Sequence, residues 1–292
     1  MQTQVTFQSD GLDLAGILHL PDELRPTERR PCFIVLHGFG TNKNGTTPKK
    51  VSEVLEEMGY VALRFDARGC GESGGEPAFI LCQDQVRDTQ NAVTFLHSVE
   101  QVDPSRIGVI GHSFGGAVAP YATATDERIA ACVSVAGWGD GVAKFREQHP
   151  TLEQWQDFLA KLEQGRHYRQ ETGQALMIPR FDIVPIPQSM RHLLAHDSIM
   201  EFPAETAMSM MDFHANDVVG LISPRPYLIL HPADDTVTPT SQALGLFTNA
   251  KQPCDMHLVS GTDHFMFADD NGLVRRILED WLDRHFPVSP IG

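Results

Sequence analysis

A serine flanked by glycines stands where a strand pattern gives way to a helix pattern. The stretch Gly111-His112-Ser113-Phe114-Gly115 follows the apolar run 106–110 and opens the helix-like stretch 114–124. A G-x-S-x-G pattern in this position is typical of a tight turn that lifts a serine hydroxyl above the carboxyl end of a sheet, with small residues two places to either side. The pattern predicts that Ser113 is a nucleophile, and the alternative is a chance serine in a glycine-rich turn.

A serine nucleophile needs a histidine as base and a carboxylate to orient that histidine. Two late strand patterns end in suitable residues, because "YLILHPADD" closes on Asp234 and Asp235, and "MHLVSGTDHF" closes on Asp263 and His264. The order Ser113, Asp235, His264 is the one expected for a nucleophile on this type of turn. Asp234 is the alternative acid.

The elements that would position these residues alternate between strand and helix. Asp10-Gly11 predicts a hairpin within 5–21, and periodicity then predicts strands and helices in turn as far as residue 137. The predicted strands cover 32–40, 60–69, 106–111 and 129–137, and the predicted helices cover 49–59, 81–99 and 114–124. This alternation favours an α/β fold with a mainly parallel sheet.

The alternation stops between residues 139 and 220. Helices are predicted at 151–165 and 205–219, the proline-containing stretch 178–190 is predicted to be irregular, and no strand is predicted. Strand and helix patterns resume at 226–235, 241–250, 254–261 and 271–286. The sequence therefore predicts one sheet domain, formed by 1–138 and 221–292, with an insertion at 139–220.

The chain resembles the α/β-hydrolase superfamily in five motifs. They are "HGFG" (37–40), "FDARGCGESGG" (65–75), "GHSFGG" (111–116), "HPADDTVTP" (231–239) and "GTDHF" (261–265). The resemblance implies a mainly parallel eight-stranded sheet flanked by helices, with a helical cap inserted after strand 6. It is similar to serine hydrolases with a cap, in the esterase or feruloyl-esterase-like and S15-like branches. Ser113 sets it apart from the Cys-type dienelactone hydrolases.

The resemblance also implies roles for particular residues. Aligning His231 and Pro239 with the family's acid motif selects Asp235, although Pro232 replaces the usual glycine. The backbone N–H groups of Phe39 and Phe114 are implied as the oxyanion hole. His37, His112 and His231 are interpreted as structural partners of the motifs, and Asp66 and Arg68 as residues that hold their own loop.

A substrate pocket is predicted from the insertion and the residue just before it. Six of the ten methionines and three phenylalanines fall between 177 and 213, and such side chains suit an apolar pocket. The predicted pocket residues are Trp138, Met177, Phe181, Met210 and His214. The alternative is that these residues form the core of the insertion.

Composition narrows the classes of partner. The formal net charge of −15 disfavours binding to nucleic acid and to anionic membranes, and no apolar stretch approaches the length of a membrane span.

The five cysteines lack C-x-x-C spacing, which favours buried thiols in a reducing compartment. With no signal-peptide pattern at the start of the chain, a cytoplasmic location is predicted. No metal-binding spacing, P-loop or dinucleotide motif occurs, so no metal and no cofactor are predicted; the sequence is compatible with a homodimer.

These observations predict a hydrolase that cleaves a carboxylic ester, or a related acyl compound with an apolar portion, through an acyl-enzyme. Amide or peptide cleavage, carbon–carbon bond hydrolysis and acyl transfer use the same three residues and stay open. A ligand receptor that has kept the fold without catalysis is the alternative from a different class.

Overall fold

The architecture is an eight-stranded sheet between two layers of helices, with a further segment built over one end. The computed structural model describes residues 1–22, 24–25, 28–268 and 272–289. The sheet contains β1 (Gln2–Ser9), β2 (Leu12–His19), β3 (Arg30–Leu36), β4 (Val61–Phe65), β5 (Val102–His112), β6 (Ile129–Val135), and, after the inserted segment, β9 (Tyr227–Pro232) and β10 (Cys254–Val259). The strand order is β1-β2-β4-β3-β5-β6-β9-β10.

The sheet is mostly parallel, as the alternating pattern predicts. β1, β2 and β4 pair antiparallel, and every pair from β4 and β3 across to β9 and β10 is parallel. The predicted hairpin is present between β1 and β2, where Asp10 and Gly11 both have positive φ angles, of 49° and 82°, as a type I′ turn requires. In the parallel part, the carboxyl ends of the strands lie along one edge, where open α/β sheets bind ligands.

Helices cover both faces of the sheet because the central strands are apolar on both faces. The flanking helices are α1 (Thr46–Glu57), α2 (Cys82–Leu96), α3 (Phe114–Thr125), α8 (Thr240–Asn249) and α9 (Gly272–His285). Along β3, Phe33 and Val35 pack with side chains of α1 and α9, whereas Ile34 and Leu36 pack with those of α2 and α3. The period-two alternation of side chains thus builds two core layers from one strand.

The inserted segment, residues 139–220, is mainly helical. It contains α4 (Gly141–Gln148), α5 (Leu152–Thr172), β7 (Met177–Pro179), α6 (Arg180–Ile183), β8 (Glu201–Pro203) and α7 (Ala204–Met211), with 3₁₀ turns at Gln188–Leu193, Ala215–Asp217 and Val219–Leu221. α5 begins with a capping box between Thr151 and Gln154 and ends at Gly173, which is left-handed. The helix predicted at 151–165 is therefore present and continues for about two further turns.

Two expectations for the inserted segment are wrong. Three-residue strands β7 and β8 pair antiparallel and place Ile178 opposite Phe202; strands so short carry no readable alternation. The helix predicted at 205–219 ends at Met211, because the carbonyl of Phe213 accepts a hydrogen bond from the N–H of Gly141 at 3.1 Å. The chain there turns to meet α4, which lies about 70 residues earlier, and local propensity gives way to that tertiary contact.

Candidate active site

The turn between β5 and α3 holds Ser113 in a strained backbone conformation. Ser113 has φ 58° and ψ −114°, a region that non-glycine residues avoid and that functional turns tolerate. A Cβ added to Gly111 would lie 2.0 Å from the carbonyl oxygen of Gly115. The turn can therefore be this tight only because position 111 has no side chain, which is the steric reason for the G-x-S-x-G spacing.

Ser113, His264 and Asp235 form a continuous line of hydrogen bonds. The Oγ of Ser113 lies 2.9 Å from Nε2 of His264, and Nδ1 of His264 lies 2.9 Å from Oδ2 of Asp235. A carboxylate only accepts, so Nδ1 carries the proton and Nε2 is left to accept the serine proton. The arrangement can deprotonate the hydroxyl as it attacks an electrophile.

The carboxylate of Asp235 is buried and well supplied with donors. Its Oδ1 accepts the N–H groups of Val237 and Thr238 at 2.8 and 2.7 Å. Burial by itself would raise the pKa of Asp235, but the His264 imidazole and these donors outweigh it, so the pKa lies below its usual range. Asp234, the alternative acid, is exposed. The structure therefore brings Asp235, and not Asp234, to the imidazole.

Two neighbouring residues brace the loop that carries His264. The carboxylate of Asp263 accepts from the N–H of His264 at 2.7 Å and from the N–H of Thr236 at 2.9 Å, which ties the acid loop to the histidine loop. The Nε2–H of His112 donates to the carbonyl of His264 at 2.8 Å. Burial, together with the nearby His264, lowers the pKa of His112 to about 3, so His112 is neutral at physiological pH and supports the loop by hydrogen bonding alone.

The loop after β3 approaches Ser113 from the other side. A Cβ built on Gly38 would lie 3.6 Å from the Cβ of Ser113. The next residue, Phe39, therefore begins close to the side chain of Ser113. His37 holds this loop: its Nδ1–H donates to the carbonyl of Gly38 at 2.9 Å and its Nε2 accepts from the N–H of Ala67 at 3.2 Å. On the other side, Phe114 is the first residue of α3, where backbone N–H groups lack partners within the helix and favour negative charge.

A pocket opens over these residues. Its floor includes Phe39, Ser113 and His264, and its walls are mostly apolar. The apolar wall residues are Pro48, Val184, Ile186, Leu193, Leu194, Ala195, Val237 and Phe265, and Arg180 adds a buried cation. The inserted segment contributes the wall residues from 180 to 195, and the sheet domain contributes the others.

None of the five predicted pocket residues lies in the wall of this pocket. Trp138 is only 1 % exposed and packs edge-on against Phe213, with the ring centroids 5.5 Å apart. Met210 is likewise buried in the apolar core. Trp138, Met210 and Phe213 therefore follow the alternative interpretation, in which these side chains form the packing core beneath the insertion.

The other three predicted pocket residues lie outside for different reasons. Met177 is largely exposed on β7. Phe181 lines a separate groove and stacks under the guanidinium of Arg191, 3.6 Å from the ring centroid. His214 is partly exposed, with Nδ1 3.6 Å from a carboxylate oxygen of Asp140. Composition indicated an apolar segment, but it could not indicate which side chains face inward.

Among the wall residues that the sequence interpretation missed, two groups are instructive. Phe265 directly follows His264 and Val237 lies two residues after Asp235, so their positions beside these residues could have been read from spacing. Val184 and Ile186 lie in the proline-containing stretch, and Leu193 and Leu194 lie at the end of the 3₁₀ turn that begins within it; neither part has a periodicity that assigns a face.

The comparisons with known proteins agree with this architecture. The model of the "Alpha/beta hydrolase family" matches residues 33–277, and the chain therefore belongs to the α/β-hydrolase family. Among its relatives, the polyketide transferase grgF of Penicillium sp. is 29 % identical over 94 % of each chain. The thiohydrolase aneE of Aspergillus aculeatus is 29 % identical over 87 % of this chain and 83 % of the relative.

Solved structures give the same picture. The crystal structure of the α/β hydrolase GrgF from Penicillium sp. has a TM-score of 0.80 at 25 % identity and covers 98 % of this chain and 99 % of its own. The hypothetical protein PA2218 from Pseudomonas aeruginosa has a TM-score of 0.82 at 25 % identity over 98 % of this chain and 94 % of its own. With hydrolase-named relatives in a family of hydrolases, the chain is an enzyme of this class.

Other parts of the molecule bear on the remaining expectations. All five cysteines are buried with free thiols, as the spacing suggested. In the residues that the structure describes, no helix has both the length and the apolar character to span a bilayer.

Proposed function

We propose that the protein is a serine hydrolase that cleaves an acyl bond through an acyl-enzyme. Ser113 attacks the carbonyl carbon while His264 accepts its proton, and His264 then returns that proton to the leaving group. Water, deprotonated by the same imidazole, attacks the acyl-enzyme and releases the acid and the free serine. Asp235 keeps the proton of His264 on Nδ1 and stabilises the imidazolium that forms in each step.

The observation that carries this proposal is the hydrogen-bonded line from Ser113 through His264 to Asp235 at the floor of an apolar pocket. Three residues far apart in the chain lie with both contacts at 2.9 Å, within the range that proton transfer requires. The strained φ of Ser113 supports it, since such strain is retained mainly at functional turns.

We further propose that the N–H groups of Phe39 and Phe114 stabilise the negative oxygen of the tetrahedral intermediate. The approach of the β3 loop to Ser113 and the position of Phe114 at the start of α3 support this assignment. Losing one such donor typically costs a factor of about 10²–10³ in kcat.

The wall composition supports a substrate with an apolar portion, and residues 139–220 would act as the cap that covers it. A carboxylic ester or a thioester fits this site, because each presents a carbonyl carbon to Ser113 and a leaving group that His264 can protonate. A thioester gains support from relatives named thiohydrolase. The five buried thiols support a reducing, cytoplasmic setting.

A second candidate function is transfer of the acyl group to a nucleophile other than water. It is favoured by the relatives named polyketide transferase, at 29 % and 26 % identity. Both functions share the acyl-enzyme, so they differ only in what attacks it. Incubation with a short acyl thioester and an excess of a competing thiol, amine or alcohol separates them: hydrolysis yields the free acid throughout, whereas transfer yields the new acyl product.

The proposed nucleophile is tested by labelling with a fluorophosphonate probe followed by mass mapping of the modified residue. We expect one adduct, on Ser113, with labelling abolished in Ser113→Ala. An adduct on another serine, or turnover retained by Ser113→Ala, would exclude the proposed function. A series of p-nitrophenyl esters of rising chain length then gives the length of acyl chain that the pocket accepts.

A further inference from the structure

Arg180 reaches from the inserted segment to the loop that carries Phe39. It is the first residue of α6, and its side chain is 3 % exposed. Nη2 donates to the carbonyl of Phe39 at 2.6 Å, and Nη1 donates to the carbonyl of Ile199 at 2.9 Å. One side chain therefore joins the insertion to the residue that is proposed to supply an oxyanion donor.

The guanidinium of Arg180 is held by the backbone carbonyls of Phe39, Gly40 and Ile199, and it has no acidic side chain as a partner among the described residues. Burial lowers the pKa of Arg180 to about 10, so the group is still charged at neutral pH. A buried cation without a carboxylate costs free energy that well-aligned carbonyl acceptors offset only in part. Its position therefore calls for an explanation beyond stability.

Aromatic rings continue the link from Arg180 to both proposed oxyanion donors. The ring of Phe39 stacks on Phe202 of β8, with centroids 4.1 Å apart, and on Phe114, with centroids 5.9 Å apart. The Arg180 guanidinium carbon lies 5.4 Å from the centroid of the Phe39 ring. Phe39 is thus held through its carbonyl and its ring, and each contact comes from the insertion or from the other donor residue.

The next peptide of the loop is held in the same way. The carbonyl of Gly40 accepts the N–H of Ile199 at 2.8 Å, and Nη1 of Arg180 lies within 3.4 Å of it. Gly40 has φ +56°, and a Cβ there would lie 2.3 Å from the ring of Phe202. Only glycine allows the insertion to press this closely on the loop.

We propose that Arg180, together with Phe202, is a positioning residue that fixes Phe39 so that its N–H points at the developing oxyanion. The inference rests on the proposed function, in which Phe39 is an oxyanion donor. The physical reason is that such donors stabilise a transition state only when they are already oriented before charge develops. The inserted segment then completes the catalytic machinery as well as covering the substrate.

The test replaces Arg180 by Gln and by Lys and separates binding from chemistry. For Arg180→Gln we expect kcat to fall by a factor of about 10–100 with KM changed by less than about threefold. Arg180→Lys should recover part of the loss, since one ammonium can still donate to one of the carbonyls. An alkyl trifluoromethyl ketone, whose adduct with Ser113 carries the oxyanion, should bind more weakly by the factor lost in kcat/KM, while inhibition by the product acid stays unchanged.

A matched control is available in Arg225. Its Nη1 also donates to three backbone carbonyls, those of Thr123, Asp126 and Ile129, and it lies outside the pocket wall. Arg225→Gln should lower the melting temperature without changing kcat or the affinity for the ketone. A selective loss in the Arg180 variants alone separates positioning from general loosening of the fold.

Specific outcomes would overturn the inference. If Arg180→Gln keeps kcat and ketone affinity, or only raises KM, Arg180 does not act on the oxyanion donor. If Arg180→Gln does not fold, Phe202→Leu makes the same test, with the same split between kcat and KM in a smaller loss. Failure of the proposed function is distinct, because it appears as missing Ser113 labelling in the unaltered protein.

Discussion

Buried cations paired with carboxylates lie in the sheet domain, whereas the two buried cations of the inserted segment have no such partner in the described part of the chain. In the sheet domain, Lys43 lies 2.6 Å from the carboxylate of Asp66, and Arg68 lies 2.6 Å from that of Asp88. In the insertion, Arg180 donates only to carbonyls, and buried Lys144 donates to the amide oxygen of Gln148 and lies over the ring of Phe145. Neither insertion cation has a carboxylate partner among the described residues.

The paired charges and the unpaired charges have different roles in the molecule. Paired charges in the sheet domain hold the loops at the carboxyl edge, so the reacting residues keep their geometry. The insertion keeps cations that cost free energy, and one of them lies in the pocket wall. A buried charge without a carboxylate is not confined to the pocket, since Arg64 of the sheet domain is held by His19, Asn44 and the carbonyl of Lys43. Arg180 differs because it also lies in the pocket wall, where function bears on the sequence.

In the sheet domain, Asp235→Asn should cause the largest loss of activity. The amide keeps the shape but favours the wrong imidazole tautomer, and we expect kcat to fall by a factor of about 10⁴. Steady-state hydrolysis of a p-nitrophenyl ester measures the loss. Asp234→Asn is the control, since Asp234 is exposed; equal losses in the two variants would contradict the assignment of the acid.

Replacing a glycine by alanine should cost more stability at Gly111 in the sheet domain than at Gly173 in the insertion. Gly111→Ala places a methyl group 2.0 Å from the Gly115 carbonyl oxygen, and overpacking against backbone should lower the free energy of unfolding by about 3 kcal/mol or more. Gly173→Ala, at the end of α5, meets no atom within 4 Å and should cost only the left-handed penalty of about 1–2 kcal/mol. Urea unfolding measures both values, and a cheaper change at Gly111 would contradict the steric account of the turn.

The wall supplied by the insertion should control chain-length specificity. Ile186→Trp fills space in the pocket, and we expect kcat/KM for a long-chain ester to fall by a factor of about 10–100 relative to the acetyl ester. Met177→Trp is the control, because Met177 is exposed on β7. Kinetics across the ester series decide the matter; a change of specificity in Met177→Trp instead would show that the wall is misassigned.

The buried Lys144 of the insertion should make the stability of the protein depend on pH, with a defined sign. Burial lowers the pKa of Lys144 to about 7, whereas the unfolded chain keeps the ordinary value near 10.4. Between these values the unfolded state binds more protons, so the stability of the native protein rises with pH, by at most about 1.4 kcal/mol per pH unit. Lys144→Met should lack this rise, and its advantage over the native chain should shrink from about pH 7.5 to about pH 9.5.

Urea unfolding at several pH values measures the difference for Lys144. Lys43→Met is the contrasting variant, because it leaves buried Asp66 without its ammonium and should destabilise the protein. A Lys144→Met variant that is less stable than the native chain at all pH values would contradict the description of Lys144 as an uncompensated cation.

Prediction from sequence succeeded where short-range rules decide structure. The strands and helices of the sheet domain follow from periodicity, and the hairpin at Asp10-Gly11 follows from turn chemistry. The elbow at Ser113 depends on steric contacts within five residues, so its local shape is readable. Asp235 and His264 lie in the loops that follow β9 and β10, and parallel strands bring their carboxyl ends to one edge.

Prediction failed in the insertion because its contacts are long-range. The end of α7 at Met211 depends on α4, and the pairing of β7 with β8 joins strands too short to show a pattern. Trp138 and Met210 are apolar, as pocket residues would be, but their side chains pack in the core and do not face the pocket. Composition measures how much apolar surface a segment must bury, and it does not say against what.

The amino-acid sequence by itself determined the type of fold, and it singled out Ser113, Asp235 and His264, which the structure joins by hydrogen bonds. Strand ends and tight turns are set by neighbours along the chain, which is why these positions could be read. Only the tertiary structure decided which side chains form the pocket wall, and that Arg180 contacts Phe39, 141 residues earlier. The physical reason is that packing of a segment without regular periodicity is fixed by the surface it covers, and that surface exists only after the sheet has formed.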